Sequence, residues 1–321
     1  MKTVLASVAL ALVMSAVPVV AQTAEKIPKV GFLSPGAPGG VTLQIFRQGL
    51  AKLGYVEGQH VLIEPRFADG EFSRFPQLTE ELIGQGVDAI AMVGAVTARA
   101  AKAKVTDIPL VFAIVVDPVA ERILTNPTQP DANITGITNY DPQQQRKRLE
   151  VLKEMIPGMR RIGVLGDSGV SEAQLRAGEA AAKAMGLQPF LYRVGGASPD
   201  LDGAFSSMAQ DKVDALLVLE EPVLGVHRKR VGELAAKARI PTMFTPLTAD
   251  SGGLAFYGTV LDEPIEAMAA TVTKILSGAK PSQLPVETVI RYKLFINMKT
   301  ARQLGVPIPA EILMRADRII E

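Results

Sequence analysis

The chain has 321 residues, with 34 Lys and Arg against 33 Asp and Glu, two His and no Cys. A chain without cysteine has no disulfide framework, thiolate metal site, Cys nucleophile or lipid-bearing Cys, and a near-zero charge with no basic tract argues against nucleic acid or an anionic membrane as partner. The length exceeds what one hydrophobic core usually organises, which predicts two domains.

In chain order, Lys2 precedes an apolar run from Val4 to Val17, followed by Pro18-Val19-Val20-Ala21 with small residues at the cleavage positions. This is the pattern of a secretory leader over residues 1–21, and the run is too short for a membrane-spanning helix of about 20 residues. Cleavage after Ala21 makes Gln22 the first mature residue. Loss of Lys2 takes the 34 basic residues to 33, against 33 acidic ones. An exported protein with no direct membrane anchoring is expected.

Beyond the leader, apolar runs of about five residues alternate with helical stretches, the spacing of βα units and mostly parallel sheets. Strands are expected at Val30–Leu33, Val61–Phe67, Ala89–Val93 and Leu110–Ile114, with helices near Thr42–Leu53, Phe75–Gln85 and Ala95–Val105. Strands follow at Arg161–Leu165, Pro189–Val194, Ala215–Leu219 and Thr242–Phe244. Asp141-Pro142 with Gln144 and Ser171 with Gln174 are capping-box patterns, and Ser198-Pro199 marks another helix start. The extended segment Asn133–Tyr140 and the strand of Gly252–Gly258 are expected to cross between lobes. Helix Glu263–Leu276 and the stretch Val286–Ile296 are expected to pack back onto the first lobe.

The two halves repeat each other. Val87-Asp88-Ala89-Ile90 leads through a helical stretch to Ile108-Pro109-Leu110-Val111-Phe112, and Val213-Asp214-Ala215-Leu216 leads through another to Ile240-Pro241-Thr242-Met243-Phe244. Two copies are too few for a solenoid. They predict an α/β protein of two similar lobes with a ligand cleft between them.

Several segments carry a family resemblance. They are Phe112–Val119, Asn133–Gly136, Gly252–Gly258, Gly278–Val286, Asn297–Ala301 and Arg315–Glu321, in order over nearly the whole mature chain. Together they resemble the substrate-binding proteins of bacterial ABC importers related to the TrpX-like binders of aromatic amino acids. The resemblance places the protein in the periplasm and implies two Rossmann-like lobes with parallel sheets, joined by three crossings in the type I periplasmic-binding arrangement, that close around a small solute and deliver it to a membrane permease. The expected division is residues 22–138 with 259–321 as lobe 1 and 139–258 as lobe 2. The loop Pro35-Gly36-Ala37-Pro38-Gly39-Gly40 carries few side chains able to make polar contacts, so tryptophan itself is not carried over as the ligand.

Ligands of open α/β sheets bind beyond the carboxyl ends of the strands. The candidate contacts are therefore Ser34, Ala95, Val96, Thr97 and Asp117 from the first lobe, Tyr140 at the crossing, and Asp167, Ser168, Glu220, Glu221 and Thr245 from the second. The glycines before Thr42 and Gly94-Ala95-Val96-Thr97 lead into helix starts, whose N–H groups favour an anion; tight turns explain those glycines equally well. Asp167, Glu220 and Glu221 offer a pole for a ligand amine, or are solvated carboxylates. Asp117 before Pro118 is a ligand contact or a helix cap. Phe32, Tyr140, Phe244 and Tyr257 are candidates for stacking, though their strand positions favour core packing.

Catalytic patterns are missing. No Gly-Lys-Ser/Thr follows Gly36–Gly40, and no Gly-x-Gly-x-x-Gly follows the first strand. The adjacent Glu220-Glu221 cannot flank a glycosidic bond from two sides. His60 and His227, far apart in the chain, make no metal site alone. No enzyme activity, cofactor or metal is expected. The rival readings are a ligand sensor feeding a membrane receptor, an exported enzyme on the same scaffold and, disfavoured by the leader, a repressor.

Overall fold

The computed structural model describes residues 26–131 and 133–321; the leader expected over residues 1–21 lies outside them. The first lobe is built by strands β1 (Lys29–Ser34), β2 (Leu62–Phe67), β3 (Ala89–Val93), β4 (Leu110–Val115) and β5 (Ile134–Thr138). Helices α1 (Val41–Lys52), α2 (Phe75–Gly84) and α3 (Ala95–Lys102) alternate with them. Its sheet has the order β11-β5-β4-β3-β1-β2, where β11 (Glu287–Thr288) arrives from late in the chain. Every pairing in it is parallel.

Parallel strands need cover on both faces, and β3 supplies apolar residues to both. Ala89, Ala91 and Val93 join one core cluster with Phe46 and Leu50 of α1. Ile90 and Met92 join the opposite cluster with Leu78 and Leu82 of α2. Each buried Val, Ile, Leu, Met or Phe among them contributes roughly 1.5–3 kcal/mol. Helix α9 (Asp262–Leu276) lies beside α1 on the first of these faces, through Ile265, Met268 and Val272.

The second lobe runs through α4 (Gln144–Met155), β6 (Arg161–Asp167), α5 (Ala173–Ala184), β7 (Gln188–Val194), α6 (Leu201–Gln210) and β8 (Ala215–Val218). It continues with α7 (Pro222–Val226), α8 (Arg228–Ala238), β9 (Thr242–Phe244) and β10 (Ala255–Thr259). The chain ends with β12 (Tyr292–Asn297), α10 (Met298–Leu304), α11 (Ala310–Arg315) and β13 (Arg318–Ile320). The second sheet has the order β13-β12-β10-β9-β8-β6-β7, with β12 antiparallel to β10. The two lobes are the two α/β units expected, each with a parallel-dominated sheet.

The tail corrects the expected division. Residues 263–288 do stay with the first sheet, but β12 and β13 are strands of the second. Leu294 and Ile296 are buried in the second lobe's core, which fixes the face that β12 must present. The chain thus passes between lobes at 139–143, 260–261 and 289–291. Side chains tie these passages together: Asn139 Nδ2 donates to Thr259 Oγ1 at 3.2 Å, and Tyr292 donates its hydroxyl to Asp141 Oδ2 at 3.1 Å.

Three expected helix starts also differ. Asp141 accepts from the Gln143 amide in a turn before α4, without capping the helix. Ser171 donates its backbone N–H to Glu121, and α5 starts two residues later without a side-chain cap. At α6 the cap is Asp200, which accepts from Gly203 N at 2.8 Å. Only at α6 does another side chain take the place of the residue singled out; α4 and α5 start without a side-chain cap.

Candidate functional site

A cleft of about 600 Å³ opens between the lobes at the carboxyl ends of both sheets. The first lobe contributes Ser34, the glycine loop 36–40 and the starts of α1 and α3. The first turn of each helix carries N–H groups without intrahelical acceptors. Gly94, at φ +87°, gives α3 its entry from β3, a backbone conformation that glycine adopts without the Cβ clash. The second lobe contributes Leu219, Glu220, Glu221, Phe244 and Thr245. Most of the remaining wall is apolar, including Val93, Ile114, Leu224, Leu247 and Leu261.

A smaller polar chamber of about 20 Å³ adjoins the cleft, lined by Ala95, Asp117, Glu121, Ser171 and Gln174 among others. Glu220, Glu221, Pro222 and Ile114 line both spaces.

The candidate residues therefore divide. Ser34, Glu220, Glu221 and Thr245 line the cleft, and Ala95 and Asp117 line the chamber. Val96, Thr97, Tyr140, Asp167 and Ser168 line neither. Thr97 is buried, and its Oγ1 has no hydrogen-bond partner among the described residues. Tyr140 is 45% exposed and does not wall the cleft. Asp117 Oδ1 accepts from the Val119 and Ala120 amides, so this carboxylate organises its own turn.

Asp167 is committed inside the second lobe. Oδ1 accepts from Gly169 N at 2.7 Å and Oδ2 from Val223 N at 3.0 Å, and the residue is buried. Of the aromatic candidates, Phe32 packs beside Phe46 in the core, and Tyr257 packs on Tyr292. Phe244 stacks on Phe256 and belongs to the cleft's lining.

Glu220 and Glu221 are held differently. Glu220 Oε1 accepts from Asn139 Nδ2 at 2.7 Å, while Oε2 is buried without a partner among the described residues. Burial pushes its pKa up, opposed by the Asn139 hydrogen bond, the charge of Arg148 and the neighbouring Gln144 amide. Glu221 Oε2 accepts from the Asp167 amide. Burial, reinforced by the charges of Asp167 and Glu121, pushes Glu221 up to about 8.

Sequence reasoning missed the groups that hold this arrangement. Arg148, fully buried, donates Nη2 to Val218 O at 2.6 Å and Met243 O at 3.1 Å, stapling the ends of β8 and β9. Burial lowers its pKa to about 10. Arg228 lines the cleft but donates to both carboxylate oxygens of Asp250, at 2.6 and 2.9 Å. Its charge is therefore largely answered.

The lobes touch across the cleft. Arg99 of α3 pairs with Glu121 and donates Nη2 to Gly169 O at 2.6 Å, and Ser171 N donates to Glu121 Oε1 at 2.9 Å. Phe72 also packs against the cores of both lobes. Among the described residues no group of three or more His, Asp or Glu is placed to hold a metal, and no helix is long and apolar enough to cross a membrane.

Residues 41–320 match the model of a family described as ABC transporter substrate binding protein. A tyrosine-binding protein of Clostridioides difficile (strain R20291) is 23% identical over 261 residues, covering 81% of this chain and 75% of that protein. The crystal structure of a conserved domain protein from Vibrio cholerae O1 biovar eltor is 26% identical, with a TM-score of 0.83 over 92% of this chain and 100% of that one. An ABC domain from Streptococcus pneumonia in complex with L-Trp is 24% identical, with a TM-score of 0.81 over 91% and 99% of the two chains.

Proposed function

The chain belongs to the ABC transporter substrate-binding protein family, and from that membership we propose that it is the periplasmic capture component of an importer for an amino acid with an apolar or aromatic side chain. One observation carries the reading. The cleft has two helix starts on one lobe and the carboxyl groups of Glu220 and Glu221 on the other, with mostly apolar wall between them. A helix start favours a carboxylate. The buried Glu220 Oε2 is an acceptor suited to an ammonium group, and a buried acceptor without a donor is costly. The tyrosine and L-Trp named for two relatives agree with a zwitterion carrying an apolar body.

Capture works by differential binding. A ligand touching both lobes stabilises the arrangement in which they meet, which a membrane permease then recognises. No step breaks or makes a covalent bond. The leader expected over residues 1–21 supplies export, and the energy of transport comes from other subunits.

A thermal-shift screen of the mature protein against amino acids, aromatic and aliphatic carboxylates and nucleosides tests the assignment. An amino acid with an apolar side chain is expected to raise the melting temperature, because it binds only the folded state. A shift with nucleosides alone, or with carboxylates regardless of an amine, would overturn the zwitterion reading.

A further inference from the structure

Strand β4 carries an irregularity exactly where it reaches the cleft's wall. Phe112 pairs with Gly136 of β5, and the next pairing is Val115 with Thr138, so Ala113 and Ile114 stand opposite a single residue, Ile137. The side-chain faces record the extra residue. Val111 and Ala113 belong to one core and Phe112 to the other, and Val115, which strict alternation would send to the first, joins Phe112. This is a β-bulge, and bulges beside binding sites redirect a side chain.

The inserted residue is Ile114, with φ +57°. A β-branched side chain in this region is a genuine conformational outlier, and such strain persists only where the surroundings hold it. Glycine would occupy the position without strain. Ile114 instead packs on the first lobe's core and lines both the cleft and the polar chamber, as do Glu220, Glu221 and Pro222 of the other lobe. It is the first lobe's share of the partition between the two spaces. Behind it, Glu121 and Ser171 make the contact across the lobes.

We propose that Ile114 is a specificity-determining residue, a hydrophobic stop held in place by the β4 bulge that sets how deep a ligand's side chain can reach. The proposal rests on the reading of the cleft as an amino-acid site. Truncation at Ile114 joins the chamber to the cleft and makes room for a larger side chain. A bulkier residue shortens the cleft and excludes one. One methylene more or less in an apolar pocket changes discrimination by roughly tenfold or more, so the change from isoleucine to alanine is a sensitive probe.

The test is calorimetric titration of wild type, Ile114→Ala and Ile114→Phe with L-valine, L-leucine, L-phenylalanine and L-tyrosine, with melting curves to establish that each variant is folded. Ile114→Ala is expected to move the ratio of phenylalanine to valine affinity by about tenfold toward phenylalanine, and Ile114→Phe to move it the other way. If Ile114→Phe does not fold, the alanine variant alone decides. A wild type that binds none of the four, while Ile114→Ala gains the aromatic pair, supports the stop directly. A merely structural residue would lower every affinity by the same factor, and an unchanged ratio overturns the proposal while leaving the amino-acid reading intact. Absence of binding by all the folded proteins overturns both.

Discussion

Glu221 shows how one side chain at the cleft ties binding chemistry to stability. Burial, aided by the Asp167 and Glu121 charges and opposed by the Asp167 amide and Arg193, raises its pKa from 4.5 to about 8. Between those values the folded protein holds a proton that the unfolded chain releases. The contribution is therefore complete below the unfolded value and is lost as pH rises through the folded one. Glu221→Gln keeps an acceptor for the Asp167 amide and is expected to flatten the fall in melting temperature from about pH 5 to about pH 8. Glu220, also shifted upward by burial, leaves some slope in the variant. A melting profile as steep as the wild type's would show that Glu221 does not hold the proton. Both acids stood out in the sequence as charges in a strand-end loop. Their separate roles did not, because the Asp167 amide that engages Glu221 is 54 residues away in the chain. For the same reason Asp167 read as a ligand contact: nothing local reveals that Val223, 56 residues on, donates to it.

The elements were more legible than the contacts between them. Apolar runs such as Ala89–Val93 and Ala215–Val218 bounded by turns are strands in the fold as they are in the pattern, since a run buried on both faces has to be apolar throughout. The β4 bulge left no such mark, because Leu110–Val115 is apolar from end to end whether or not one residue is inserted. Likewise β11 and β12 read as one extended stretch, and only their pairings show that they belong to different sheets. Gly136 has an element-scale role that the resemblance motif contained without explaining. A Cβ there would come 2.3 Å from Phe112 O and 2.6 Å from the Phe112 ring. Gly136→Ala is expected to push β4 from β5 and destabilise the protein by about 1–3 kcal/mol, measured as a lower urea midpoint. An unchanged midpoint would mean that the strands separate without cost.

For the molecule as a whole, the contact of Arg99 and Glu121 with Gly169 and Ser171 joins the lobes by hydrogen bonds. Hydrogen bonds to a charged group contribute about 1.5–3 kcal/mol. Arg99→Ala is therefore expected to weaken ligand affinity by roughly tenfold, equivalent to about 1.4 kcal/mol. The ligand-saturated variant should also show a larger radius of gyration in solution scattering than the wild type. Wild-type values in both experiments would remove this contact from any part in closure. The three passages between lobes, laced by Asn139 to Thr259 and Tyr292 to Asp141, have a mechanical consequence. Three adjacent backbone links resist shear and torsion together, as the knuckles of a door hinge do, and leave rotation about their common line as the soft direction. In the closure proposed above, opening is described by a single angle, and one pair of labels set across the cleft, in a chain free of competing thiols, tests it.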